Sequence, residues 1–600
     1  MADQGDGDGK LTTPTEGMDE AWKTLLERSQ KVGKLYQERL KEDDGFSVTN
    51  STLVGQVFLQ IAQFLYTNPA KMHEAQTKLA SDYARLVEAI DAATKGLPNQ
   101  PVAEAGPGDR RFKDPEWEQN PAFSAIKQYY LLTSRWLEGL VDSIDGLDPK
   151  SRQKAQFYTR QFISAMAPTN FIATNPKVIR EIQKTKGESL RKGLTNMLDD
   201  VERGRGQLHI SLTDFDAFTL GENIAATPGR VIYQNDLMQL IQYTPATATV
   251  RRRPLLIVPP WINKFYVLDL QPKNSFIKWA VDQGHTVFVI SWVNPDESLT
   301  HKTFDDYVLE GPIAALDAIE KATGEPEVNA IGYCIGGTLL AITLAHMAVK
   351  GDTRVVSATF FTTMVDFADP GELGVFIDED QIDLVEKHMQ KKGYMDGAQM
   401  AQVFSMLREN DLIWSAFESN YMLGKDPRPF DLLYWNSDST RMPVMMHSFY
   451  LREMYLNNRL IEPDALTVAG TPIDLRRIKQ PVYILSTRED HIAPWTSTYS
   501  ATQIYSGPVK FVLAGSGHIA GVINPPAANK YEYWTHTRKV KSPDAFLKAA
   551  KSTDGSWWPH WDAWVGKHGG GQVPARAPGA GDLKAIELAP GSYVRMRATD

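Results

Sequence analysis

From about residue 18 to 205 the apolar positions recur at helical spacing. Val57, Phe58, Ile61, Phe64 and Leu65 fall on one face of a single helix. Gly96, Pro98, Pro101 and Pro107 interrupt the pattern and read as a linker. It resumes through Tyr129, Trp136 and Leu140, and Pro168 and Pro176 bracket a loop. After about residue 206 the texture changes. Short runs at 231–233 and 237–243 predict an opening hairpin. Apolar runs at 254–258, 286–292, 328–332, 355–362, 482–486 and 509–513 predict buried strands, most of them separated by helical patterns.

Repeated strand–helix units imply a mostly parallel sheet with helices on both faces, an α/β architecture behind an α-helical N-terminal domain. Between two of these strands, residues 369–478 are helical and aromatic and too long for a loop. They predict a cap over the carboxyl ends of the strands. The organisation expected is a disordered tail over 1–17, a helical domain over 18–205, a catalytic domain over 206–568, and a loosely held, Gly-, Pro- and Ala-rich tail over 569–600.

Composition narrows the chemistry. The 600 residues are 42% hydrophobic, enough for a large core and more than one domain. A net charge of -9 leaves no basic footprint, so no nucleic acid is expected as a partner. The single cysteine, Cys334, excludes an intramolecular disulfide and a multi-cysteine zinc site, and no metal is expected. No basic segment followed by an apolar run opens the chain, and no stretch approaches the about 20 apolar residues of a membrane span. A cytoplasmic protein without a transmembrane segment is expected.

Cys334 lies in Gly332-Tyr333-Cys334-Ile335-Gly336-Gly337, between an apolar strand and a helical pattern. This is the G-x-nucleophile-x-G elbow of α/β-hydrolase folds, with Cys in place of Ser. Small residues flank the nucleophile because the turn is sharp, and a helix N-terminus favours a thiolate. The bland alternative is a buried structural cysteine beside a Gly-rich turn.

In this fold the acid and then the histidine follow the nucleophile along the chain. His518 sits in Gly515-Ser516-Gly517-His518, after the run at 509–513, and Asp490 follows the run at 482–486. His491 competes as the base, and Asp366 and Glu489 compete as the acid. Two backbone N–H groups should form the oxyanion hole, one from Ile335 after the nucleophile. The other comes from Pro259-Pro260-Trp261-Ile262-Asn263-Lys264, with Ile262 preferred, Trp261 next, and Asn263 with an alternative structural role. A cysteine nucleophile favours acyl transfer from a thioester, because exchanging thiol for thiol keeps the acyl group activated.

These motifs, with Arg488-Glu489-Asp490-His491, Gly517-His518-Ile519-Ala520-Gly521 through Pro526, the 431–438 stretch DLLYWNSD, the 171–176 loop and Gly555-Ser556-Trp557-Trp558-Pro559, resemble the polyhydroxyalkanoate synthases over about 109–564. Within them the chain is similar to class I enzymes. The resemblance implies an (R)-3-hydroxyacyl-CoA substrate with a short acyl chain and release of CoA. It implies no further cofactor. Cys334 would carry the acyl group, with Asp490 as acid and His518 as base. Trp435, Trp261, Asn263 and His491 would lie about the substrate site or its entrance. A homodimer, attachment to the polyester granule surface and contact with granule-associated proteins are also implied. The rival readings are an esterase or depolymerase of the same fold and an inactive granule-associated protein.

Overall fold

The computed structural model of the chain describes residues 14–42, 51–97 and 100–597. The tail expected over 1–17 therefore falls mostly outside the described residues, as does Pro98 of the expected linker; the first helix already begins at Pro14.

The eleven strands of the main sheet are β1 (Gly229–Gln234), β2 (Met238–Tyr243), β3 (Leu255–Val258), β4 (Val287–Trp292), β5 (Val328–Tyr333), β6 (Val355–Phe361), β7 (Val482–Thr487), β8 (Val509–Ala514), β9 (Glu532–Thr535), β10 (Lys551–Asp554) and β11 (Glu587–Leu588). Their order across the sheet is β10-β9-β8-β7-β6-β5-β3-β4-β2-β1-β11. The six strands from β8 to β4 run parallel, as the strand–helix alternation predicts. Both flanks are antiparallel. In β4, β5 and β7 every residue is buried, because helices cover both faces.

Alternation along the strands divides two cores. Leu256, Val258, Phe288 and Ile290 face one of them with Leu339 and Leu344. Leu255, Ile257, Val289 and Tyr333 face the other with Trp557, Trp558 and Trp561. The helix Ile335–Lys350 is buried continuously from Ile335 to Met347. That matches its nearly unbroken apolar sequence, and Gly351 at φ 71° ends it in the left-handed region.

Between β6 and β7 lies a helical insertion, called the cap below, that includes Glu379–Lys392, Gly397–Leu407, Asp431–Asn436 and Val444–Phe449. Three π-helical stretches, Asn410–Trp414, Glu418–Met422 and Tyr450–Leu456, interrupt it. The N-terminal helices pack on this cap. Phe157, Tyr158 and Val141 share a cluster with Val375, Phe376, Met406 and Leu407. Arg160 pairs with Glu372 at 2.7 Å, and Lys154 pairs with Asp378.

One expectation needs correction. Residues 569–597 are not loosely held. Gln572–Pro574 pairs with Thr249–Arg251, β11 pairs with β1, and Val594 is fully buried. The Gly and Pro content marks turns between short docked segments, not a free tail.

Candidate active site

The elbow forms because a single residue, Cys334, separates the end of β5 from the start of the buried helix. Cys334 caps that helix at φ 52° and ψ -125°, a backbone conformation that side chains other than glycine rarely adopt. Its N–H donates to Phe361 O on β6 at 2.9 Å, and its carbonyl accepts from Gly337 and Thr338. A Cβ at Gly332 would collide with the Gly337 backbone, and one at Gly336 would collide with the carbonyls of Val258 and Pro259. The small residues thus serve two close approaches, one within the turn and one between the elbow and the loop after β3. Cys334 itself is partly exposed.

The acid loop follows β7 and the histidine loop follows β8, and the two strands are parallel neighbours. Arg488 N donates to Ala514 O and Glu489 N to Ser516 O, so the loops leave the sheet side by side. His518 Nδ1 meets Asp490 Oδ2 at 2.7 Å. Asp490 is buried, and its Oδ1 accepts from the Ile492 and Ala493 N–H groups at 2.9 and 2.8 Å. Thr487 Oγ1 adds a bond to Oδ2 at 3.2 Å. The carboxylate is therefore fixed before it touches the histidine, and that bond leaves His518 Nε2 as the nitrogen free for proton transfer.

Burial alone would lower the His518 pKa. The charges of Asp490 and Cys334 and hydrogen bonds to both outweigh it and carry His518 up to about 10. His491, the competing base, behaves oppositely. Burial pushes it down to about 4 despite the neighbouring Asp490 charge, and its Nδ1 has no hydrogen-bond partner among the described residues. The competing acids are placed elsewhere: Asp366 accepts from Ala368 N and Asn458 Nδ2, and Glu489 is exposed.

Ile335 occupies the first turn of the helix, where its N–H has no intrahelical acceptor. Ile262 lies on the loop after β3 and packs, like Cys334, against the same core. Asn263 forms a bridge to Ser439 of the cap. Trp261 and Trp435, expected about the substrate entrance, are both buried. Trp261 packs between Tyr307 and Tyr450, at ring distances of 5.4 and 5.8 Å. Trp435 acts as a strut, donating from Nε1 to Lys264 O at 2.7 Å.

Several supporting residues carried no site signal of their own in the sequence. Tyr333 stacks on His518 at 5.8 Å and 25° and donates its O–H to the His518 carbonyl at 3.3 Å. Trp557 and Trp558 each donate an indole N–H, to Gly521 O and Val522 O, both at 2.9 Å, which pins the histidine loop from behind. Tyr450 and Tyr455 come from a π-helical turn of the cap. Burial and nearby ionisable groups, Cys334 among them, raise both phenols, so they stay protonated. The tandem Trp motif was visible in the sequence; its partners, 36 positions away, were not.

Residues 108–280 match the family described as the poly-beta-hydroxybutyrate polymerase (PhaC) N-terminus, and residues 253–525 match the α/β hydrolase fold. The chain is 51% identical over 562 residues to the poly(3-hydroxyalkanoate) polymerase subunit PhaC of Rhizobium meliloti (strain 1021), covering 94% of this chain and 92% of that protein. It is 50% identical to the poly(3-hydroxyalkanoate) polymerase of Methylorubrum extorquens, over 90% of this chain and 89% of the relative. Identity to the PhaC subunit of Cupriavidus necator is 43%, over 88% and 89%. With an α/β-hydrolase sheet and near-full-length likeness to these proteins, the chain belongs to the poly(3-hydroxyalkanoate) polymerase family.

Proposed function

We propose that this protein is an acyltransferase of the class I type that joins short (R)-3-hydroxyacyl groups, such as 3-hydroxybutyryl, from CoA thioesters into a polyester. The observation that carries the reading is Cys334 at the elbow after β5, in a sheet whose loops after β7 and β8 bring Asp490 and His518 together at 2.7 Å. No metal and no cofactor other than the CoA substrate enters the reaction.

His518 Nε2 takes the proton from Cys334 Sγ, and Sγ attacks the thioester carbonyl. The Ile335 and Ile262 N–H groups receive the oxyanion. The bond to the CoA sulfur breaks, and the leaving thiolate takes the proton from His518. The acyl group is now a thioester on Cys334. The 3-hydroxyl of a second unit or chain end gives its proton to His518 and attacks this thioester. An ester bond forms, the C–Sγ bond breaks, and Sγ recovers the proton. Asp490 holds the imidazole and stabilises its cation. With one cysteine per chain, elongation either releases the chain between additions or hands it to the site of a second subunit.

A cytoplasmic homodimer on the surface of a polyester granule, with granule-associated proteins near it, completes the proposal. Among the described residues no helix is long and apolar enough to cross a membrane. Exposed apolar side chains on the N-terminal helices, including Leu59, Tyr66, Phe162 and Met166, are consistent with an apolar contact surface.

The test is the full chain with (R)-3-hydroxybutyryl-CoA. CoA release should be accompanied by growing turbidity, and Cys334→Ala should abolish both with the fold intact. Release of free 3-hydroxy acid without turbidity would identify a hydrolase instead.

A further inference from the structure

The loop after β3 has an unusual set of fastenings. Three of its carbonyls accept from side chains: Pro259 O from Trp292 Nε1 at 2.9 Å, Trp261 O from Thr440 Oγ1 at 2.6 Å, and Lys264 O from Trp435 Nε1 at 2.7 Å. The first donor belongs to β4, but the other two belong to the cap. Asn263 also bridges Ser439, and Tyr266 O–H donates to Asp438 Oδ2 at 2.8 Å. Residues 435–440 of the cap therefore clasp the whole loop.

The Thr440 bond has a particular geometry. A peptide unit is planar and trans, so the Trp261 carbonyl and the Ile262 N–H belong to one rigid plane and point in opposite directions. A hydroxyl that grips the carbonyl fixes the direction of the N–H at the other end. It also polarises the peptide and strengthens that N–H as a donor. Thr440 is buried, with 1% of its surface exposed, and Trp261 is at 2%, so neither end of the bond competes with water. The Ile262 N–H donates to no backbone acceptor among the described residues.

We infer that Thr440 is a positioning residue for the oxyanion hole: its hydroxyl, carried by the cap, orients the Trp261–Ile262 peptide so that the Ile262 N–H faces the reacting carbonyl. This rests on the proposed Cys334 chemistry. It makes assembly of the hole depend on the seated cap, so a substrate that displaces residues 435–440 loses an oxyanion donor until the cap returns.

The test separates oxyanion stabilisation from nucleophile reactivity. Acylation by (R)-3-hydroxybutyryl-CoA, read as the first turnover of CoA release by rapid quench, uses the oxyanion hole. Alkylation of Cys334 by iodoacetamide needs the thiolate and forms no oxyanion. Thr440→Ser and Thr440→Ala differ only by the hydroxyl. The alanine variant should acylate about ten- to a hundredfold more slowly, while its alkylation stays within about twofold of wild type and the serine variant recovers most of the acylation rate. Wild-type acylation in Thr440→Ala, a parallel fall in alkylation, or a serine variant as slow as the alanine one would each overturn the inference. Thr440→Val, which keeps the side-chain shape and removes the same O–H, repeats the test if the alanine variant does not fold. Cys334→Ala is run alongside. If it still releases CoA at the wild-type rate, the reading of the site has failed, whatever Thr440 does.

Discussion

The sheet and the N-terminal helices use similar apolar residues to different ends. In the central strands of the sheet, side chains from both faces are enclosed by helices of the same domain, and the two cores are continuous. The N-terminal helices build smaller clusters, and one of them closes only against the cap, through Phe157 on Phe376 at a ring distance of 5.5 Å. Open apolar grooves remain there among the described residues. One, of about 400 Å³, is lined by Phe58, Ile61, Leu65 and Trp136. Another, of about 460 Å³, lies between Phe171, Leu194 and the cap's Phe417. The sheet thus fixes chemical groups to within a hydrogen-bond length, whereas the N-terminal helices brace the cap and still leave apolar surface open.

This contrast orders the expected effects. The largest lies at the strand ends. His518→Gln should lower polymerisation by several powers of ten, by analogy with other triads, while His491→Gln is much milder. Steady-state CoA release measures both, and reversed magnitudes would show that the wrong histidine had been assigned as base.

A smaller effect is expected where the N-terminal helices meet the cap. Phe157→Ala removes a buried ring and should cost about 3–5 kcal/mol locally. Hydrogen exchange should rise across 371–407 and stay low in β5 and β6. Loss of protection in the sheet to the same degree would show that the two regions are one cooperative unit.

The smallest concerns acid. Burial lowers His447 and His491 to about 4 from 6.5. Each takes up its proton more readily when unfolded, so the stability tied to it is present above about pH 6.5 and is lost as pH falls toward 4. His447→Leu should make that decline shallower in denaturant titrations between those pH values, and an unchanged slope would exclude His447 as a contributor. His518 has the opposite sign: its pKa is raised, so its contribution is lost as pH rises through about 10.

Much of the site was legible because local backbone rules govern it. The small residues around Cys334 answer to two close approaches, and the buried strands read as apolar runs before the loops that carry Asp490 and His518. What escaped was held by distant pairing. β9, β10 and β11 are short, and β10 is fully exposed, so no apolar period marks them. Val594 and the Met596 carbonyl, which accepts from Lys264 Nζ at 2.6 Å, dock a segment that composition alone marks as loose. Thr440 looks like any polar loop residue until its partner, 179 positions earlier, is beside it.

The central claim is that Cys334 carries the acyl group. Its most direct test is to mix the protein with a slight excess of (R)-3-hydroxybutyryl-CoA, quench in acid during the first turnover, and map the adduct by peptide mass spectrometry. The account predicts 3-hydroxybutyryl units on the Cys334 peptide, appearing with CoA release and cleared as polymer forms. CoA release with no adduct on Cys334, or with the acyl group on another residue, would contradict it.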